Sequence, residues 1–320
     1  MKKRLLITLI MSFVICSISG CAVNTSSSEA IDTQEIETEE TKKQYSENPD
    51  ITIMGVTKIN NQSNGFGMVF KSTSDKAIKD IEMYYALYDE NMMLVGSSYK
   101  TQKFESANIV KDKDKTYIIS TDGTKYSYVN VIVGKISFED GTTWQFDNPD
   151  QWLKDVSENK EQYKLQFESM DKKYEEYALK AENYKDTLGI SIDLQETKNA
   201  QNNGYDLNVT ITNHTDNTIS DVQIRAALYL QNKTPAKVNN TAYATAKDIA
   251  KYNNTATLFL LGDNVNIAPG TSYTCTNYEV LEEENMIIKC VPVQVKYLDG
   301  TSQDNMNVNA WSAYRSFYHE

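Results

Sequence analysis

The sequence predicts a mainly β protein with one long helix, in which two tandem antiparallel β-sandwiches are joined by a helical linker. Three observations support this prediction: two blocks of sequence recur in the same order, strand-like runs alternate with turn signals in both copies, and residues 151–188 contain neither glycine nor proline. Of the 320 residues, 40% are hydrophobic and 24% are charged, which is typical of a chain that buries a core.

The first 20 residues have the order of a secretory signal peptide. Three basic residues precede an apolar run from Leu5 to Ile15, which is too short to span a bilayer. The run ends in Ile18-Ser19-Gly20-Cys21, which resembles the bacterial lipobox. That resemblance implies a mature chain that begins at a lipidated Cys21 and is held to the membrane by its acyl chains. The alternative is an ordinary cleaved signal peptide followed by an incidental cysteine.

Residues 21–50 are expected to form a lipidated, disordered acidic tether. From Ala22 to Asp50 the chain carries eight acidic residues, two lysines and almost no large apolar side chain. Such a segment cannot bury enough apolar surface to offset the entropy lost on folding. We therefore place the start of folded structure near residue 51.

Internal similarity sets the boundaries of the two copies. Phe70–Tyr88 aligns without a gap to Ile211–Tyr229, and Val129–Trp152 aligns to Ile288–Trp311. Two ordered matches indicate a tandem repeat. The sequence therefore predicts one sandwich over residues 51–150 and a second over residues 189–320. The second is longer between its two blocks and has an inserted loop near residues 230–255.

Each copy has the pattern of a small antiparallel β-sandwich. Apolar and polar residues alternate along Ile81–Tyr88, as in a strand with one buried face. Further runs rich in β-branched and aromatic residues are separated by turn signals such as Asp140-Gly141 and Asp299-Gly300. Short strands at this spacing, without intervening helices, indicate an immunoglobulin-like class of fold.

One strand also carries a family signature. Tyr85–Asp89 reads YALYD, which resembles the F-x-L-Y-D motif of the FxLYD domains of bacterial lipoproteins. The closing Asp-Gly-Thr followed by Trp152 is similar to related immunoglobulin-like domains of unknown function in Firmicutes surface proteins. Tyr85 replaces the phenylalanine, and the second copy, Ala226–Leu230, reads AALYL. The resemblance implies a fold and an extracytoplasmic location, and it brings no catalytic residues.

The segment between the copies, residues 151–188, is predicted to be one long helix that Gly189 ends. Large residues follow each other at spacings of four and three, which is a heptad pattern. Two interpretations remain open: the seam packs on the protein's own β-sandwiches, or it forms a coiled coil through which the chain self-associates. The seam residues are Tyr163, Phe167, Met170, Tyr174, Tyr177, Ala181, Tyr184 and Leu188.

Charge and composition exclude several classes of function. The formal net charge is −12 and the chain has two histidines, which argues against a nucleic-acid partner and against histidine-based metal sites or catalytic triads. We found no catalytic, nucleotide-binding or cofactor motif, so we expect a protein that is not an enzyme and has no cofactor.

Two cysteines remain after the signal peptide and Cys21. Cys275 and Cys290 fall in successive predicted strands, and a tight turn near Glu282-Glu283 would place them opposite each other. Outside the cell this arrangement favours a disulfide. The alternative is a pair of buried free thiols.

Together these features predict a non-catalytic binding or scaffolding protein on the extracytoplasmic face of the cell membrane, anchored through lipid on Cys21. The expected partner is a protein or a cell-wall polymer. One alternative is a glycan-directed enzyme, because a catalytic pair of carboxylates has no linear signature. The other is a solute-binding lipoprotein, which the strand pattern argues against.

Overall fold

The computed structural model describes residues 50–59, 65–107, 109–198, 205–236, 257–262, 265–281 and 286–316. The predicted signal peptide, Cys21 and the acidic tether lie outside these residues, as does most of the inserted loop near residues 230–255.

The first seven strands form two antiparallel sheets, which we call the first sheet pair. Their orders are β1-β2-β5 and β4-β3-β6-β7. Inward side chains of both sheets, such as Phe66, Phe70 and Val131, share one buried core cluster. The strands are β1 Ile51–Ile59, β2 Gly65–Ser72, β3 Ile78–Tyr88, β4 Lys100–Phe104, β5 Asp114–Ser120, β6 Tyr128–Phe138 and β7 Thr143–Gln145.

The second sheet pair has the same strand order as the first. Its sheets are β8-β9-β12 and β11-β10-β13-β14, again antiparallel, and Leu207, Val209 and Ile224 lie in their shared core. The predicted mainly β class is thereby confirmed. The strands are β8 Ile190–Lys198, β9 Tyr205–Asn213, β10 Ile219–Tyr229, β11 Thr257–Gly262, β12 Ser272–Leu281, β13 Ile287–Tyr297 and β14 Ser302–Asp304.

The prediction of one unbroken helix over residues 151–188 is wrong. Helix α1 spans Pro149–Glu158 and helix α2 spans Lys160–Leu179. A 3₁₀ turn then covers Lys180–Asn183, and the short helix α3 covers Tyr184–Leu188. Gly189, with φ of +64°, ends this run as predicted, because a left-handed residue after a helix favours glycine.

The break between α1 and α2 occurs at Asn159, whose φ of −120° and ψ of 45° are not helical. Both its backbone N–H and its side-chain amide donate to the carbonyl of Asp155, at 2.9 and 3.0 Å. Asparagine competes with helix continuation through such local bonds. The break lets Trp152 pack on the outer face of the four-stranded sheet while α2 lies on β1 of the three-stranded sheet.

The heptad seam packs within the chain, which agrees with the first of its two interpretations. Tyr163, Phe167, Tyr174 and Tyr177 are buried, and all four belong to clusters that also contain strand residues. Where α2 crosses β1, Gly55 lies directly beneath the backbone of Tyr174. The glycine allows a closer approach of helix to sheet than any other residue would.

Helix α4, Val308–Tyr314, joins the two sheet pairs. One face contributes Ala313 and Tyr314 to a cluster with Val69 of β2 and Tyr174 of α2. The other contributes Trp311 to a cluster with Tyr229 of β10. Small residues such as Ala313 let α2 and α4 pack closely against each other. The two helices therefore form a common layer that holds the two sheet pairs together.

Within the part of the chain that the structure describes, no helix is both long enough and apolar enough to cross a membrane.

Candidate binding face and buried junction

The outer face of sheet β8-β9-β12 carries an array of polar side chains. Along β9, Leu207, Val209 and Ile211 point into the core, so the alternate residues point outward. The strand register aligns the outward residues of all three strands in rows, which we call the hydroxyl face. Its three rows are Ser191–Thr212–Ser272, Asp193–Thr210–Thr274 and Gln195–Asn208–Thr276.

Side chains within these rows hydrogen-bond to one another across the strands. The hydroxyls of Thr210 and Thr274 are 2.8 Å apart, as are those of Thr212 and Ser272. The hydroxyl of Thr276 donates to the side-chain carbonyl of Asn208 at 2.6 Å. These bonds fix the orientation of side chains that are otherwise free to rotate in water.

Two further contacts extend the hydroxyl face at its ends. The side-chain amide of Asn208 donates to the hydroxyl of Thr197 at 2.6 Å, and the hydroxyl of Ser191 lies 2.9 Å from Nε2 of His214. Asp193 is the one formally charged residue among the nine row positions. The nine row positions are therefore ordered and polar, and Asp206, the neighbour of Thr197 across the strands, adds a second carboxylate at the end of the face.

The equivalent face of the first sheet pair is built differently and is covered. When the gapless alignment of the two copies is extended towards the N-terminus, Gly67 aligns with Asn208 and Val69 aligns with Thr210. Val69 is completely buried under Tyr174 of α2, and Gly67 lies beneath the same phenol ring. Glycine and valine provide a smooth apolar surface for a helix, whereas Asn208 and Thr210 would have to lose their contact with water.

The prediction that a tight turn places Cys275 and Cys290 on paired strands is wrong. Cys275 lies on β12, which pairs with β9, and Cys290 lies on β13, which pairs with β10. The two strands belong to different sheets of the second sheet pair. Both cysteines contact the core of the second sheet pair.

The two cysteines differ in their surroundings. The thiol of Cys275 lies 3.7 Å from the carbonyl oxygen of Val209. Burial, together with the negative charges of Glu182 and Asp193, raises the pKa of the Cys290 thiol to about 12. Since the thiolate is the reactive form, Cys290 is a weak nucleophile at neutral pH.

A buried polar junction, not recognised from the sequence, fastens α4 to the 3₁₀ turn. A single carboxylate oxygen of Glu182 accepts hydrogen bonds from Nε1 of Trp311 at 2.8 Å and from Nε and Nη2 of Arg315 at 3.0 and 2.6 Å. The Arg315 side chain is 3% exposed and that of Glu182 is 34% exposed. The hydroxyl of Tyr229 donates to the backbone carbonyl of Arg315 and closes the junction.

Residues repeated in the two copies occupy matching positions at these helices. Trp152 packs with Ala86 and Tyr88 on the first sheet pair, and Trp311 packs with Ala227 and Tyr229 on the second. These three pairs of repeated residues therefore mark where a helix after the last strand folds back onto each four-stranded sheet. They form core contacts and do not assemble a reactive site.

Among the described residues, no group of three or more histidine, cysteine or acidic side chains is arranged to hold a metal ion. The lipidation residue Cys21 lies outside the described part of the chain.

A family model of unknown function, DUF5780, matches residues 206–316, which cover most of the second sheet pair together with α4. No curated protein sequence is significantly similar. A crystal structure of a hypothetical protein from Peptoclostridium difficile 630 is 14% identical, with a TM-score of 0.28, and the match covers 34% of this chain and 92% of that one.

Two further structural matches are weaker. Red sea bream transglutaminase is 8% identical, with a TM-score of 0.18, over 80% of this chain and 29% of that one. An allantoicase is 10% identical, with a TM-score of 0.15, over 79% and 88%. At these scores the matches carry no information about function.

Proposed function

We propose that this chain is a lipid-anchored, extracytoplasmic, non-catalytic binding or scaffolding protein of the cell envelope, built from two immunoglobulin-like domains. The signal-like residues 1–20 and the lipobox-like sequence ending in Cys21 support the location. Two sheets of three and four antiparallel strands, in an order that recurs, support the domain class.

The family resemblance supports the same domain class. The FxLYD-like segment Tyr85–Asp89 forms the C-terminal end of β3 and continues one residue beyond it. Leu87 and Tyr88 are both buried there, on opposite faces of the sheet. Because the motif supplies core side chains to both faces of the sheet, it can specify a fold without specifying a chemical activity.

The observation that carries the proposal is the difference between the two three-stranded sheets. The described helices cover the outer face of β1-β2-β5, and they leave the hydroxyl face of β8-β9-β12 open. Residues such as Thr274 and Thr276 are exposed there in an ordered array. An ordered surface on a rigid scaffold is suited to binding, because few side chains lose freedom when a partner docks.

The binding role is tested with a photoreactive amino acid placed in the hydroxyl face. With this residue at position Thr210, irradiation of intact cells is expected to attach the protein to envelope material and to shift its mobility on gels. Thr52, exposed on β1 of the other sheet pair, is the matched control site. Equal attachment from both positions would show that the hydroxyl face has no special role.

The location is tested by replacing the lipidation residue. Cys21→Ala is expected to release the protein from the membrane fraction into the medium, because the acyl chains on this residue are the proposed membrane anchor. The measurement is immunoblotting of both fractions, with Cys275→Ala as a control that keeps the lipid site. Unchanged retention of the Cys21→Ala protein would refute the lipid anchor.

A further inference from the structure

We infer that the hydroxyl face binds a neutral polysaccharide. This inference rests on the proposed binding function and names its partner. Eight of the nine row residues carry uncharged hydroxyl or amide groups, which are the groups that pair with sugar hydroxyls.

The geometry of the face suits a polymer of hydroxylated rings. Neighbouring strands in a sheet lie about 4.8 Å apart and alternate residues on one strand lie about 7 Å apart, so the three rows span about 10 by 14 Å. The hydroxyl pairs Thr210–Thr274 and Thr212–Ser272 each use one hydrogen bond between themselves. Every hydroxyl has one donor and two acceptor sites, so capacity remains for a ligand.

The charge of the protein favours a neutral glycan over an anionic wall polymer as the partner. The chain carries a net charge of −12, and Asp193 adds a negative charge to the face itself. Such a surface repels phosphate-rich or uronate-rich polymers and does not repel an uncharged one.

The residue composition of the hydroxyl face favours a glycan over a protein as the partner. Protein interfaces draw most of their affinity from buried tryptophan, tyrosine and arginine side chains. None of the nine row residues is aromatic or basic. A polar array of this kind gives a weak single contact, and repeated contacts of many anchored copies with one long polymer raise the overall strength.

The test is sedimentation of the full chain, purified in detergent, with three insoluble probes: chitin and cellulose, which are neutral, and teichoic-acid-containing cell walls, which are anionic. The unmodified protein is expected to sediment with a neutral glycan. The variant Thr210→Val/Thr212→Val/Thr274→Val removes three hydroxyls from strands in which valine is well tolerated. It is expected to lower binding at least tenfold.

The matched control is Thr52→Val/Thr101→Val/Thr143→Val, which makes the same changes at exposed strand positions of the first sheet pair. It should bind as the unmodified protein does. A second variant, Thr210→Lys, blocks the centre of the face with one change, so a folding defect of the triple variant does not decide the outcome.

The outcomes also separate this inference from the proposed function. Binding to a neutral glycan that neither hydroxyl-face variant reduces would overturn the assigned face and leave a glycan-binding protein. Sedimentation with none of the neutral probes, together with photo-attachment to an envelope protein from position Thr210, would overturn the glycan and keep the binding role. If the protein neither sediments with a neutral glycan nor attaches to envelope material from position Thr210, the proposed binding function is wrong as well.

Discussion

Replacing Glu182 with alanine is expected to lower the free energy of unfolding by about 2–4 kcal/mol. The change removes the carboxylate that accepts three hydrogen bonds from Trp311 and Arg315. Breaking a buried ion pair by removing one partner costs about 3–5 kcal/mol, because the remaining charge stays in a poorly solvated site. The partial exposure of Glu182 lets water replace some of the lost interaction, which lowers the expected cost.

The comparison for this variant is Glu158→Ala, which breaks the exposed pair between Lys154 and Glu158 on α1. Exposed pairs of this kind contribute less than about 1 kcal/mol. Denaturant unfolding of both variants measures the difference. Glu182→Gln keeps an acceptor without the charge and should give an intermediate loss. If Glu182→Ala is no less stable than Glu158→Ala, the buried junction does not hold α4 in place.

Replacing Gly55 with alanine is expected to destabilise the protein by about 3 kcal/mol, the upper part of the range for overpacked cores. The added Cβ would lie 2.6 Å from the backbone nitrogen of Tyr174 and 2.7 Å from its Cα. Backbone atoms inside a helix cannot turn aside as a side chain can. Helix α2 must therefore move away from β1, which exposes apolar residues such as Val69.

Two other changes make this prediction specific. Thr52→Ala alters an exposed residue of the same strand and is expected to cost under about 1 kcal/mol. Gly67→Ala meets the end of the Tyr174 side chain, at 2.6 Å from the hydroxyl, so adding Tyr174→Leu should restore part of its stability. The same second change should not rescue Gly55→Ala. Thermal unfolding measures all five variants, and a Gly55→Ala variant of normal stability would show that α2 does not lie on β1.

Much of the fold could be predicted from local patterns. Alternation along Ile81–Tyr88 marks a strand because successive side chains point to opposite faces of a sheet. Some identities of the repeat mark corresponding core positions, since Trp152 packs with Tyr88 as Trp311 packs with Tyr229. The heptad seam correctly located the buried side of the helical segment, although it could not show which surface covers it.

The sequence also contains a signal for the binding face, which was not recognised when the strands were predicted. Ser/Thr/Asn residues alternate with apolar residues in β9, and a similar pattern recurs in β12. Each strand alone indicates a solvated outer face. The array exists only when the register places Thr210 beside Thr274, which depends on pairing between residues far apart in the chain.

Local sequence patterns were enough for the mainly β class, the signal-like N-terminus and the end of the helical segment at Gly189, because each depends on side chains within a few residues of one another. The recurring blocks follow from comparing distant parts of the sequence with each other. The tertiary structure decided the break at Asn159, the placement of Cys275 and Cys290 on different sheets, and the junction between Glu182 and Arg315. These depend on which distant segments become neighbours. That choice follows from burying every apolar face of the chain at once, and no local pattern records it.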